Sequence, residues 1–186
     1  MNEDSKLNLR RTIKKRIMFS KNDDYYFIVY NTLIFLNTNN FDTLEHKFQD
    51  YRKLAYIVPF ISNNFLLEML DNCVLKGCYS SIDINLLQNI YYNTRFNLKT
   101  FTAIILAMEN KGLVHLLKDP KRSCVDIWID KEKIPKTFLM NELFNIDANN
   151  TILFNKIIPR NRTLTLKTLL KKLFEENGVL IWDLSL

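Results

Sequence analysis

A short acid-to-lysine pattern, Asp119-Pro120-Lys121, has the spacing that many metal-dependent nucleases use. In those enzymes the acid binds the metal and the lysine orients the attacking water. Such pairs normally lie along a strand with a second acid nearby, whereas this triplet falls between two predicted strands, where Asp and Pro favour a turn. The sequence therefore favours the tip of a β-hairpin over a nuclease site.

The cysteines and histidines offer little further chemistry. A zinc ion would need Cys73, Cys78, His115 and Cys124, whose spacing matches no familiar zinc module. Nothing local marks a cysteine as an activated nucleophile, and His46 and His115 have the sequence settings of surface or structural histidines. With 3 glycines in 186 residues there is no Gly-rich phosphate loop. We therefore expect no catalytic residue, no metal and no cofactor, and a protein that is not an enzyme.

A winged helix-turn-helix is the element order predicted for the middle of the chain. Residues 81–91 and 97–108 carry apolar residues at helical spacing, and Asn93–Arg95 is predicted to be the turn between them. Residues 113–118 and 124–129 are predicted as the two strands of a hairpin. A helix, a turn, a second helix and a hairpin are the order of a winged helix-turn-helix. An α+β segment with a coincidental hairpin is the alternative.

Further helices are predicted on both sides of this unit from apolar residues at helical spacing, at 25–37, 41–58, 65–74, 136–144 and 163–176. Pro59 is expected to end or kink the second of them. A loop is predicted at 147–150 and a short strand at 179–182. The helix at 25–37 is apolar nearly all round, so other elements or a partner must cover it on several sides.

The resulting fold class is mainly α with a small β-hairpin (α+β), with a winged helix-turn-helix core flanked by N- and C-terminal helices. Three segments are predicted. Residues 1–60 form a basic arm and two apolar helices, residues 61–133 form the winged-helix domain, and residues 134–186 form a C-terminal helical segment.

No apolar run approaches the roughly 18 residues of a membrane-spanning helix. The 3 cysteines are an odd number without C-x-x-C spacing, so a reducing, cytoplasmic location is expected.

The net charge of +6 comes from the two ends of the chain. Residues 1–18 and 151–176 are both strongly basic, and the remainder is slightly acidic. The first of these is either a docking arm or a partly ordered tail. We expect the basic residues of the ends and of the hairpin to contact DNA backbone or an acidic partner; they are Arg10, Arg11, Lys14, Lys15, Lys118, Lys121, Arg122, Arg160 and Arg162.

The second helix of the winged unit is the one that would read DNA. If its apolar residues face the core, its outward positions are Lys99, Thr102, Ala103, Leu106 and Asn110. A DNA-reading helix exposes several Arg, Lys, Asn or Gln residues, and only one of these five is basic. Exposed apolar residues in a cluster mark interaction surfaces, so this face favours docking to a protein.

Three passages resemble the middle components of bacterial ABC three-component systems, the group that includes the small subunit of Lamassu-type anti-phage defence. They are DYRKLAYIVPF at 50–60, MENKGL at 108–113 and RNRTLTL at 160–166. The resemblance covers most of the chain. It implies a non-catalytic adaptor in a hetero-oligomer, bridging an SMC/Rad50-like ATPase that senses DNA and an effector that is often a nuclease.

Both the residues and the resemblance lead to one functional expectation. The protein is expected to be an adaptor subunit of a bacterial anti-phage or anti-plasmid defence complex, docking through its winged helix. A winged-helix, DNA-binding transcriptional regulator is the alternative.

Overall fold

The computed structural model describes residues 23–76, 80–139 and 141–182. As predicted, this part of the chain is mainly helical with a small antiparallel sheet of two strands. The elements in chain order are α1 (Asp23–Thr38), α2 (Arg52–Ile61), α3 (Asn64–Lys76), α4 (Ser81–Phe96), α5 (Leu98–Asn110), β1 (Val114–Asp119), β2 (Cys124–Ile129), α6 (Lys136–Leu139), α7 (Asn145–Ile157) and α8 (Leu166–Leu173), with 3₁₀ turns at Glu142–Phe144 and Glu175–Asn177.

The short helix α2 lies at the centre of the fold. It packs against α1, α3, α4, α5, α7 and α8, and nearly every one of its side chains is buried. Around it a single apolar cluster takes residues from all three predicted segments, for example Phe35, Leu87 and Phe154. Each fully buried side chain of this size contributes about 1.5–3 kcal/mol, so these contacts are the main source of stability. They also cover α1, whose residues 31–36 are buried.

The predicted helix at 41–58 is wrong over its first half, because residues 41–51 are not helical. Phe48 instead exchanges two backbone hydrogen bonds with Ile127 of β2, at 2.8 and 2.9 Å. Its ring packs edge-on against Phe35, so Phe48, like Phe41, is buried without a helix. Asp50, with φ of 61°, redirects the chain just before α2 begins. Pro59 lies inside α2 and does not end it.

The predicted turn at Asn93–Arg95 is also wrong, because α4 continues to Phe96 and only Asn97 separates it from α5. The start of α4 is a capping box formed by Ser80 and Asp83. The Ser80 hydroxyl accepts from the Asp83 amide at 3.2 Å, and the Asp83 carboxylate accepts from the Ser80 amide at 3.0 Å. This reciprocal pair satisfies two backbone donors at the helix start.

The C-terminal part departs from prediction in four places. Residues 147–150 are not a loop but lie within α7, and residues 179–182 are irregular instead of forming a strand. The helix predicted at 136–144 is divided into α6 and a 3₁₀ turn, with Met140 outside the described residues. The last helix is shorter than predicted because Thr165 caps it, accepting from the Thr168 amide at 3.1 Å.

The two predicted strands are confirmed, with β1 one residue later than expected. Val114 pairs with Ile129 at one end of the hairpin and Asp119 with Cys124 at the other. Gly112, with φ of +70°, turns the chain from α5 into β1, where a side chain would be strained. Within the described ranges, no helix combines the length and the apolar character that crossing a membrane requires.

Candidate functional site

The outward face of α5 lies where the sequence placed it. Lys99, Ala103, Leu106 and Asn110 are exposed, and Leu106 retains 47% of its accessible surface. Thr102 is half-buried, and its hydroxyl donates to the Leu98 carbonyl at 2.9 Å. The opposite side of the helix is in the core, with Phe101, Ile104, Ile105 and Met108 buried. We call these five outward residues the α5 face.

The basic residues of the hairpin differ in how far they are free to bind a partner. Lys118 and Lys121 are exposed. Arg122 is held by two carboxylates, with its Nε 2.8 Å from Asp119 and its Nη2 2.8 Å from Asp126. A guanidinium with two carboxylate partners has little charge left for a phosphate. Of the three hairpin cations, Lys118 and Lys121 are therefore the two without a carboxylate partner among the described residues.

The C-terminal basic residues are divided in the same way. Arg160 is exposed, with φ of 59°. Arg162 donates from Nε to the Lys47 carbonyl at 3.0 Å and from Nη2 to the Glu45 carbonyl, so it holds the irregular segment at 41–51 in place. Arg10, Arg11, Lys14 and Lys15 lie outside the described residues.

Asp119 is occupied in shaping the hairpin tip. Its Oδ1 accepts from the Lys121 amide at 2.8 Å and from the Arg122 amide at 3.0 Å. Its Oδ2 accepts from the Arg122 guanidinium, and this side-chain hydrogen bond is the main reason that the pKa of Asp119 is lowered. These contacts are those of a turn, in keeping with the hairpin-tip reading of Asp119-Pro120-Lys121.

A polar cluster that we call the hairpin base joins the hairpin to the segment before α2. The buried carboxylate of Asp126 accepts from the Asp50 amide at 3.1 Å, lies 2.8 Å from Arg122 and lies 3.3 Å from the Lys47 ammonium. Asp50 in turn lies 2.8 Å from the Arg52 guanidinium. Each acid of this cluster therefore has a basic partner.

Lys53 is a buried cation that the sequence reading missed. Its ammonium donates to the Asn161, Arg162 and Leu164 carbonyls at 2.7–2.9 Å and lies 4.3 Å from the centre of the Phe48 ring. Burial lowers the pKa of Lys53 to about 7, although the Asp50 and Asp126 carboxylates act in the opposite direction. Because α2 is buried on all sides, apolar spacing gave no signal that Lys53 lies inside.

A second charged region, which we call the α4–α5 pocket, lies where α2, α4 and α5 meet. It is a cavity of about 610 Å³ lined by Arg52, Tyr56, Arg95, Phe96, Leu98, Lys99 and Thr102. Three of these seven residues are cations and none is an acid. The sequence does place the Arg95-Phe96 pair close to Lys99. Because a turn was incorrectly predicted at 93–95, these residues were not expected to line one site.

The polar groups of this pocket are only partly satisfied. Arg95 donates from Nη1 to the Tyr91 hydroxyl at 3.1 Å and to the Trp182 carbonyl at 3.2 Å. The Tyr56 hydroxyl is buried and has no hydrogen-bond partner among the described residues. Burial raises the pKa of Tyr56 to about 12, so this hydroxyl stays protonated and can donate a hydrogen bond.

The described residues bring together no group of three or more His, Cys, Asp or Glu side chains that could hold a metal ion. His115 is paired with Asp130 at 3.2 Å and packs on Trp128. Of the cysteines considered for zinc, Cys124 is buried beside Asp126, whereas Cys78 and the side chain of Cys73 lie outside what the structure describes.

No family model, curated protein or solved structure matches the chain.

Proposed function

We propose that the protein is a non-catalytic adaptor that docks through the α5 face onto a larger protein. By the resemblance noted above, the partner is an SMC/Rad50-like ATPase, and the adaptor links it to an effector nuclease in a bacterial defence complex. In this proposal α4, α5 and the hairpin act as a winged helix used for protein contact.

The exposure of Leu106 on the α5 face is the observation that carries the proposal. The face combines this apolar side chain with Ala103 and two uncharged polar residues, and Lys99 is its only cation. Burying a leucine of this exposure against a partner is favourable, whereas a DNA groove offers it mainly phosphates and polar base edges, with apolar contact only at thymine methyl groups.

The internal contacts of two basic residues also weigh against a DNA reader. Arg122 and Arg162, both expected to meet a DNA backbone or an acidic partner, are held by Asp119, Asp126 and backbone carbonyls. Among the predicted contact residues that the structure describes, Lys118, Lys121 and Arg160 remain exposed for the alternative of a DNA-binding regulator.

Two of the passages that carry the resemblance are in direct contact. Lys53, in the passage at 50–60, donates to three carbonyls in the passage at 160–166. The residues behind the resemblance therefore lie at a structural junction, where a family sharing this fold would keep them. The docking residues themselves must be tested directly.

The test is co-expression with the proteins encoded by adjacent genes, among which the proposal expects a coiled-coil ATPase and an effector, followed by purification of the complex. We expect a stable complex that Leu106→Glu weakens at least about tenfold, because a carboxylate would be buried in the interface. Ile152→Glu is the matched control, since Ile152 also lies on a helix and is also 47% exposed.

Two results would overturn the proposal. One is that the protein purifies alone and binds neither of the co-expressed proteins. The other is tight, sequence-selective binding of the isolated protein to its own promoter DNA, weakened by Lys121→Ala and indifferent to Leu106→Glu, which would establish the regulator instead.

A further inference from the structure

The α4–α5 pocket is lined by more cations than are paired with acids among the described residues. Arg52 has one carboxylate partner, Asp50. Arg95 and Lys99 take part in none of the ion pairs among the described residues. Within the described part of the chain, two cations thus face a shared cavity that no acid lines, and their mutual repulsion favours an anion between them.

The buried hydroxyl of Tyr56 adds a second polar requirement. A buried donor without a partner costs about 1–3 kcal/mol, and native structures rarely leave one unsatisfied. Tyr56 lines this cavity, and the Arg52 and Arg95 guanidinium groups both act on its ionisation. An oxygen-rich anion held by these arginines would supply the missing acceptor.

The mouth of the pocket carries a large exposed aromatic ring. Phe96 retains 83% of its accessible surface although it directly follows Arg95 in the last turn of α4. Leu98 provides further apolar surface beside it. An exposed phenylalanine beside cations is the combination with which proteins stack a base while binding its phosphate.

We infer that the α4–α5 pocket binds a phosphate group attached to a planar aromatic base, that is, a nucleotide. Arg95, Lys99 and the free edge of Arg52 hold the phosphate, the Tyr56 hydroxyl donates to it, and the base stacks on Phe96. The ligand is either a free mononucleotide or the phosphorylated end of a single strand, which present the same chemistry.

Charge and size favour a nucleotide over an acidic segment of a protein. A phosphate monoester concentrates nearly two negative charges on one group, matching the two uncompensated cations, Arg95 and Lys99. The cavity of about 610 Å³ is within the usual range of small-molecule sites. An acidic peptide would spread its charges along a strip, and the basic residues here converge on one cavity.

The experiment uses the isolated full chain, so its outcome does not depend on the adaptor proposal. The probes are adenosine 5′-monophosphate, adenosine, inorganic phosphate and an oligothymidylate with or without a 5′-phosphate, measured by calorimetry at moderate salt. We expect the monophosphate to bind at least about tenfold more tightly than adenosine or phosphate alone, because both halves of the site are then used. A further gain with the phosphorylated oligonucleotide would identify a strand end as the source, and equal affinity would identify the free nucleotide.

Three variants and two matched controls assign the site. Lys99→Met and Phe96→Ala should each weaken binding about tenfold, whereas Lys171→Met and Phe65→Ala, which change an exposed lysine and an exposed phenylalanine elsewhere, should not. Tyr56→Phe should weaken binding without loss of stability, because it removes a hydroxyl that has no partner among the described residues.

The inference is overturned if no nucleotide binds, if Lys99→Met and Lys171→Met reduce binding equally, or if an acidic peptide binds and the monophosphate does not. Failure of the adaptor proposal has a different signature, since it appears in the response of the complex to Leu106→Glu.

Discussion

The hairpin base and the α4–α5 pocket are two cationic regions that share one residue, Arg52, and differ in how their charges are matched. At the hairpin base the acids Asp50 and Asp126 face Arg52, Arg122 and Lys47. In the α4–α5 pocket, none of the described residues that line the cavity is an acid. The difference separates two uses of charge, because matched buried charges hold segments of the chain together and unmatched ones near a cavity remain available to a ligand.

The largest effect should come from removing Lys53, a buried cation beside the hairpin base whose ammonium is held by backbone carbonyls. Lys53→Met would leave the Asn161, Arg162 and Leu164 carbonyls without their donor. We expect a loss of about 3 kcal/mol in the free energy of unfolding, measured by chemical denaturation. Lys167→Met, at an exposed position of α8, is the control and should change stability by less than about 0.5 kcal/mol. An unchanged midpoint for Lys53→Met would show that the hydrogen bonds of Lys53 to these carbonyls do not stabilise the fold.

A smaller loss is expected from weakening the ion pairs of the hairpin base, which centre on Asp126. Asp126→Asn keeps an oxygen for the Asp50 amide but removes the negative charge beside Arg122 and Lys47. We expect a loss of about 2 kcal/mol, because two cations are left near an uncharged buried group. Asp130→Asn, which changes a partly exposed pair with His115, should cost less than about 1 kcal/mol. Equal losses in the two variants would mean that the ion pairs of the hairpin base stabilise the fold no more than the partly exposed Asp130–His115 pair.

The pH dependence of stability tests the ionisation of Lys53. Its pKa falls from 10.5 in the unfolded chain to about 7 in the folded protein. Between these values the unfolded chain binds the extra proton, so the contribution of Lys53 to stability rises with pH, by at most about 1.4 kcal/mol per pH unit. The difference in unfolding free energy between the protein and Lys53→Met should therefore be larger at pH 9 than at pH 7. A constant difference would show that the three carbonyls keep the ammonium protonated throughout.

The smallest effect on stability is expected in the unmatched region. Lys99→Met should change the unfolding free energy by less than about 0.5 kcal/mol, since Lys99 makes no ion pair among the described residues. Tyr56→Phe should not lower the unfolding free energy, since the buried Tyr56 hydroxyl makes no hydrogen bond among the described residues. Thermal denaturation of both variants is the measurement. A loss comparable to that of Asp126→Asn would mean that the pocket is part of the scaffold.

Apolar spacing predicted most of the helices and the hairpin because those elements bury one face. It failed at residues 41–51, where Phe41 and Phe48 have helical spacing but reach the core from an irregular segment that pairs with β2. It also failed to identify Lys53, because a helix buried on all sides has no polar face for comparison.

The α5 face was predicted from the same spacing, and its exposure is as expected for four of its five residues. The roles of Arg122 and Arg162 could not be predicted, because a sequence gives the type of a charged residue but not its partner. Arg162 contacts carbonyls 115 and 117 positions away in the chain. Such distant partners are set only when the whole fold is assembled.

The contact of Lys53 with the segment before α8 has a consequence for folding kinetics. Its first acceptor, Asn161, follows it by 108 positions. During synthesis α2 therefore leaves the ribosome long before the carbonyls that surround its ammonium exist. Contacts of large sequence separation form late in folding and slow the overall rate. We therefore expect the hydrogen bonds of Lys53 to be among the last to form. Until they form, the Lys53 ammonium is only partly covered by the rest of the chain.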